Sequence, residues 1–284
     1  MSQARTAVPR TLRQYRQWLA DKLLPAFYDD KQAEFEDPLE RAEDEYEDIT
    51  SQIRNSFEHS EFWQQFSANY DHYNSEYASK NDYGLFLFPT PPKLLVKSFD
   101  SLINKTFRKN VLENPNRPLE PEEGWYLPNN WYEKINDIIR TRIIVKYLDG
   151  VELMTSAIAS IAAGCSLSCE SPSFEGKLTG YYAVHFIIPY ESEISKVPYD
   201  TERKKSLVEI QIMTQLHESI ERLLHKYYEE KRVSAGVETQ EWYWNYASDQ
   251  FAANYLGHIL HYADGMVMNI RERQKRHGYD YGAL

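Results

Sequence analysis

Three side chains in the stretch KSFDSLINK recur at helical spacing. Lys97, Ser101 and Lys105 stand at i, i+4 and i+8, and Arg108 continues the row, which predicts one shared helix face. Three cations and a hydroxyl on one stripe suit a polyphosphate, held through charge-assisted hydrogen bonds. The same pattern also describes a solvated basic face. A second chemistry comes from two carboxylates, Asp137 in NDIIRTR and Glu209 in LVEIQIMT. Brought together from neighbouring elements, such hard oxygen donors hold Mg2+, which keeps several waters and bridges phosphates. A third stretch, KLTGYYAVH, places Tyr181, Ala183 and His185 on one face of a strand. Gly180 there allows close backbone approach to a ligand, and the aromatic after it can stack on a base.

The elements that must position these groups follow from periodicity. In LVEIQIMT, Val208, Ile210 and Ile212 point one way, and Glu209, Gln211 and Met213 the other, as in a half-buried strand. Strands are expected over 141–148 and 181–189, and helices near 98–110, 131–137, 150–163 and 215–232. The segments 112–130, 164–179 and 190–205 read as loops. Alternating strands and helices indicate an α/β sheet covered by helices. Residues 8–82 read as helical, with Asp37-Pro38 as an N-cap followed by proline at the first helical position. Phe62, Phe66, Tyr70, Tyr73 and Tyr77 form an aromatic stripe whose spacing predicts core. Residues 238–276 are again helical and end in the basic run RERQKRHG. The expected division is a helical extension over 1–92, an α/β domain over 93–233 and a helical extension over 234–284.

The 284 residues are 42% hydrophobic and 26% charged, the balance of a packed globular protein. A net charge of −11 argues against a general nucleic-acid binder, although much of it sits between residues 29 and 48. No apolar run reaches the length of a membrane span, and the N-terminus lacks a secretory signal, so a cytoplasmic protein is expected. Cys165 and Cys169 give no disulfide framework and read as ordinary thiols.

Taken in order, these motifs resemble the synthetase domain of the RelA/SpoT family, the alarmone synthetases. The family pattern K-x-x-x-S-x-x-x-K is met by Lys97, Ser101 and Lys105. D-x-x-G-x-R-I-I-V is met by DIIRTRIIV, with Asp137 and Arg142. K-x-x-G-Y-x-[SA]-[IL]-H is met by KLTGYYAVH, with Lys177, Gly180, Tyr181 and His185, and V-E-I-Q-I-R-T by VEIQIMT. The following helix keeps register to His225 and Lys226. The resemblance runs from about Lys97 to Lys231 and is to the small, single-domain members, with added helices at both ends.

The resemblance implies a mixed β-sheet flanked by helices, of nucleotidyltransferase type, and a pyrophosphokinase. ATP gives its β,γ-pyrophosphate to the 3′-hydroxyl of an acceptor, usually GDP or GTP. Lys97, Ser101, Lys105, Arg142 and Lys177 are then the ATP-binding residues, and Asp137 binds Mg2+ with Glu209 nearby. Glu209 orients or deprotonates the attacking hydroxyl. Tyr181 stacks on the acceptor base, with His185 and Gln211 on the acceptor side. Five positions depart from the family: Leu95 for Arg, Arg140 for Gly, Thr179 for Asn, Met213 for Arg and Leu224 for Glu. Thr179 and Leu224 fall on the acceptor side, which leaves guanine open as the acceptor base. Toxic members that modify the 3′ end of tRNA, or members that use adenine nucleotides, fit the same departures. An antitoxin and a homo-oligomer belong among the expected partners, and a membrane does not.

Two rival classes draw on other residues. His258, His261 and Asp264 at i, i+3 and i+6 suggest hydrolase metal ligands, but the row drifts off one helix face. HESIE at 217–221 is not the zincin pattern, because Glu221 stands where His is required. A non-catalytic RNA-binding module would use Lys97, Lys105, Arg108, Lys109 and the C-terminal basic run. Retention of Asp137 and Glu209 favours the enzyme.

Overall fold

Apolar residues alternating with polar ones at 139–145 and 207–214 make two half-buried strands, which lie side by side at the centre of a five-stranded sheet. The structure, a computed structural model, describes residues 9–27, 37–81, 83–169, 171–196, 200–223 and 240–276. The strands are β1 (Leu95–Val96), β2 (Ile139–Val145), β3 (Ser173–Gly176), β4 (Tyr182–Lys196) and β5 (Asp200–Thr214), in the order β1-β2-β5-β4-β3. Among the described residues β2 and β5 pair in parallel, with Arg140 opposite Glu209 and Arg142 opposite Gln211, and the other pairings are antiparallel. The architecture is therefore a mixed α/β sheet with flanking helices, as expected.

The helices are α1 (Leu12–Phe27), α2 (Pro38–Glu58), α3 (Glu61–Ala68), α4 (Tyr70–Asn81), α5 (Phe99–Phe107), α6 (Trp131–Lys134), α7 (Leu148–Gly164), α8 (described over 215–223) and α9 (Asp249–Arg276). Asp37 caps α2, accepting from the Leu39 N–H at 2.9 Å, and Pro38 occupies the first turn as the sequence indicated. Val184, Phe186 and Ile188 of β4, Val208, Ile210 and Ile212 of β5, and Ile139, Ile143 and Val145 of β2 line one face. They join α7 (Met154, Ile158) and α2 (Ile53, Phe57) in one core. Each such buried side chain contributes about 1.5–3 kcal/mol through removal of apolar area from water.

Three expectations need correction. Residues 190–196 and 200–205 are not loop: they extend β4 and β5 as a two-stranded ribbon. Its polar composition hid an alternation in which Ser192 and Ile194 are buried while Glu191 and Glu193 face Arg203 across the strands. Gln52 of α2 fastens the ribbon by accepting from the Ser195 N–H and donating to its carbonyl. The segment 164–179 contains β3, which pairs with the start of β4. The aromatic stripe is core, with Phe62, Phe66, Tyr70 and Tyr77 buried, but it spans two helices that break at Asn69. The second half of the helix expected over 215–232, with His225 and Lys226, lies outside the described residues.

Candidate active site

The opposite face of the sheet carries the chemistry. Parallel register between β2 and β5 puts Arg140, Arg142, Glu209 and Gln211 on one side, and antiparallel register adds His185 of β4 opposite Gln211. Further along, this face turns apolar: Ile144, Ala183 and Met213 are buried together, with Leu87 and Tyr181 against them. Glu209 is thus on the side of the strand that the alternation indicated. It is only 6% exposed, so it does not face bulk water.

Asp137 precedes β2 and receives two ammonium groups, Lys105 at 2.7 Å and Lys97 at 3.0 Å. Burial alone would raise the Asp137 carboxyl, but Lys105 and Lys97 outweigh it and hold the group at about 2. Lys97 is itself lowered, chiefly by burial, with Asp137 acting in the opposite sense. The two lysines do not share a helix. Lys97 follows β1, its N–H donating to the Ile138 carbonyl, whereas Ser98 caps α5 and Lys105 lies in its last turn. The carbonyl of Lys97 is held by the Tyr46 hydroxyl of α2 at 2.7 Å. Ser101 stays beside this cluster, its Oγ accepting from Ser98 at 2.9 Å. Arg108 leaves it, because both its Nε and a terminal nitrogen donate to Glu113.

Glu209 ends two chains of donors. Its carboxylate can only accept, so His185 Nδ1–H donates to Oε1 at 2.8 Å, and His185 Nε2 accepts from the Tyr181 hydroxyl at 2.9 Å. On the other side Gln211 donates to Glu209 Oε2 at 2.8 Å, and Arg142 Nε donates to Gln211 Oε1 at 2.9 Å. The remaining guanidinium nitrogens of Arg142 reach Glu221 at 2.6 Å and Glu218 at 3.4 Å, both on α8. Burial and then the charge of nearby acids, Glu221 first, push the Tyr181 phenol well above its usual range, so it remains a donor at neutral pH. Lys177 lies 5.2 Å above the Tyr181 ring and 3.7 Å from Glu175.

The sequence-selected residues therefore fall into three groups. Lys97, Ser101, Lys105 and Asp137 gather at the β1 side, Arg142, Glu209 and Gln211 lie at the centre, and Lys177, Tyr181 and His185 occupy the β3–β4 side. Hydrogen bonds join the second group to the third. Asp137 and Glu209 keep separate partners, and Arg140, three residues after Asp137, stands opposite Glu209. Sequence reasoning missed Glu218 and Glu221 as partners of Arg142. Their i, i+3 spacing in HESIE signals a shared helix face, but nothing local shows that the face meets Arg142.

The alternative metal constellation does not assemble. His258 bonds the Tyr182 hydroxyl and the Leu178 carbonyl, His261 stacks on Tyr182, and Asp264 accepts from Thr214. Among the described residues no group of three or more His, Cys, Asp or Glu side chains is arranged to hold a metal ion. Cys165 and Cys169 form no disulfide, and among the described residues no helix is long and apolar enough to cross a membrane.

A mixed sheet with one packed face and one charged face, flanked by helices, is the class that this geometry defines. Residues 95–232 match the family model described as the region found in RelA / SpoT proteins, and this part of the chain is a RelA/SpoT-family domain. Among solved structures the chain is similar to the small alarmone synthetase 1 from Bacillus subtilis, at 17% identity and a TM-score of 0.52. That match covers 82% of this chain and 99% of the other. A GTP pyrophosphokinase family protein from Streptococcus pneumoniae matches at 15% identity and a TM-score of 0.54, over 82% of this chain and 95% of the other. At these identities the likeness is one of fold. No curated protein sequence gives a significant match.

Proposed function

We propose that the RelA/SpoT-family domain is an ATP-dependent pyrophosphokinase that acts on the 3′-hydroxyl of a nucleotide, with a guanine nucleotide as the first acceptor. The observation that carries the reading is the presence in one sheet of a lysine-flanked ionised carboxylate just before β2 and, on the neighbouring strand β5, a buried glutamate that collects donors from two sides. The printed descriptions of the two similar structures, an alarmone synthetase and a GTP pyrophosphokinase family protein, support the same class.

In this reading Lys97, Lys105 and Ser101 bind the phosphates of ATP, with Arg142 and Lys177 as further cations. Glu209 takes the proton of the acceptor 3′-hydroxyl, whose oxygen forms a bond to the β-phosphorus as the bond to the α-phosphate oxygen breaks. The electron pair leaves on AMP, and the acceptor carries the pyrophosphate. His185 and Gln211 orient the Glu209 carboxylate by donating to its two oxygens, which leaves a lone pair on each for the incoming hydroxyl. The Tyr181 ring, backed by Ile144, Ala183 and Met213, is the aromatic on which a planar base would stack. Positioning and fixed charge carry such a transfer, and no covalent intermediate on the protein is needed.

Asp137 suits Mg2+, because a hard carboxylate held ionised is the donor this ion takes beside substrate phosphates and water. Glu209 is a second oxygen donor of the same kind. When bound, the ion supplies positive charge to the phosphate oxygens.

The test is incubation with γ-labelled ATP and Mg2+, offering GDP, GTP, ATP and deacylated tRNA in separate reactions. Label on GDP or GTP supports the reading. Label on tRNA or ATP alone keeps the reaction and changes the acceptor, and label on none of them refutes the pyrophosphokinase.

A further inference from the structure

The C-terminal helix α9 lies beyond the region matched by the family model, and its middle part packs against the loop that precedes β4. The loop that joins β3 to β4 runs from Lys177 to Tyr181. It is closed by the Lys177 N–H donating to the Tyr181 carbonyl and the Gly180 N–H donating to the Lys177 carbonyl, both at 2.9 Å. Gly180 has φ +76°, a conformation that glycine adopts without strain. A Cβ on Gly180 would stand 2.4 Å from the Asn254 carbonyl oxygen and 2.9 Å from the Gly257 Cα. A Cβ on Gly257 would in turn stand 2.4 Å from the Gly180 oxygen. Two glycines thus let the backbone of α9 press directly on the loop.

His258, the next residue of α9, ties the loop on both flanks. Its Nε2–H donates to the Leu178 carbonyl at 3.0 Å, and its Nδ1 accepts from the Tyr182 hydroxyl at 2.9 Å. Both bonds are satisfied by one neutral tautomer. One turn on, His261 stacks on the Tyr182 ring, with centroids 3.7 Å apart and planes 3° from parallel. Tyr182 opens β4 with its side chain on the face of Val184, whereas Tyr181 just before it packs against Ile144, Ala183 and Met213 on the opposite face. The clamp therefore holds the loop from behind while Lys177 and Tyr181 project in front.

We infer that α9 is part of the acceptor subsite and that His258 is its positioning residue, fixing the 177–181 loop so that Tyr181 meets the acceptor nucleotide. The inference rests on the proposed function for the word acceptor, but the clamp is a property of the fold. It gives the C-terminal helix a defined part in substrate recognition without contact to the reacting atoms.

The experiment compares the full chain with His258→Ala and Tyr182→Phe. Amide hydrogen exchange is read at 177–182 and at 97–107, and KM and kcat are measured with GDP and ATP. Loss of two hydrogen bonds predicts exchange at 177–182 and KM for GDP to rise about tenfold in His258→Ala. Exchange at 97–107 and kcat should stay within about twofold, and KM for ATP, which the loop touches only through Lys177, should rise less than KM for GDP, a split that general destabilisation does not produce. Tyr182→Phe, which keeps the ring stack, should give a smaller rise of the same kind. Wild-type values at 177–182 and for GDP in both variants would overturn the inference. Should His258→Ala speed exchange everywhere, Tyr182→Phe decides the matter. Where the wild-type chain uses another acceptor, KM is read for that acceptor instead; absence of transfer to GDP, GTP, ATP and tRNA alike sinks the functional reading, and the exchange data alone then decide the clamp.

Discussion

Asp137→Asn removes one charge from a cluster of three and leaves two ammonium groups facing each other. The three side chains are partly buried, with Lys97 12%, Asp137 17% and Lys105 26% exposed, so solvent does not screen them as it would a surface pair. The carboxyl drops from its ordinary 3.8 to about 2. At about 1.4 kcal/mol per unit, ionised Asp137 therefore adds about 2.5 kcal/mol of folding stability at neutral pH. The amide imitates the protonated acid, so the variant should lose about 2–3 kcal/mol, close to the lower end for breaking a buried pair. Because the folded value is depressed, this contribution is complete above the unfolded value and disappears as pH falls through the folded one. The gap between wild type and variant should shrink on acidification, to about half its neutral value near pH 3. Urea denaturation with a chelator present, at pH 7 and at stepwise lower pH, measures it. A gap below about 0.5 kcal/mol at pH 7, or one that does not change with pH, would show that the lysines do not hold Asp137 as described.

Glu209→Gln keeps the shape of the site but removes the proton acceptor, so transfer should fall by about 10²–10⁴-fold with little change in KM for ATP. Full activity in that variant would take the base role away from this side chain. Phe186→Ala opens a cavity behind the site, where the ring is 1% exposed, and should cost about 3–5 kcal/mol in chemical denaturation; a loss under about 1 kcal/mol would contradict the packing. His217 is lowered to about 4 by burial and then by His261 and His258, so the unfolded chain binds its proton first. Stability should thus fall as pH drops from about 6.5 toward 4, and His217→Leu should flatten that slope in thermal melts. Identical slopes would exclude His217 as the cause.

Residue spacing alone was enough for some of this protein. The alternation in LVEIQIMT made β5 and turned Glu209 away from the core, because a strand sends successive side chains to opposite faces. The order of four short motifs indicated the family, and Asp37-Pro38 marked a helix start, since capping chemistry is local. The ribbon of residues 190–196 and 200–205 is not legible in the sequence for a related reason. Its alternation is between polar side chains, and only the packing of α2 shows which of them are buried.

Partnership was decided by tertiary structure. Arg142 meets Gln211 and Glu221, 69 and 79 residues away, because β2 and β5 are neighbours in the sheet and α8 follows β5 directly. Lys97 and Lys105 converge on Asp137 although one precedes α5 and the other lies within it. The hold of α9 on the 177–181 loop depends on two glycines 77 residues apart, Gly180 and Gly257, and on a bond from His258 to Leu178 that spans 80. Periodicity reports which face of its own element a residue occupies. Strand order and helix docking determine what that face meets, and those follow from burying the core as a whole.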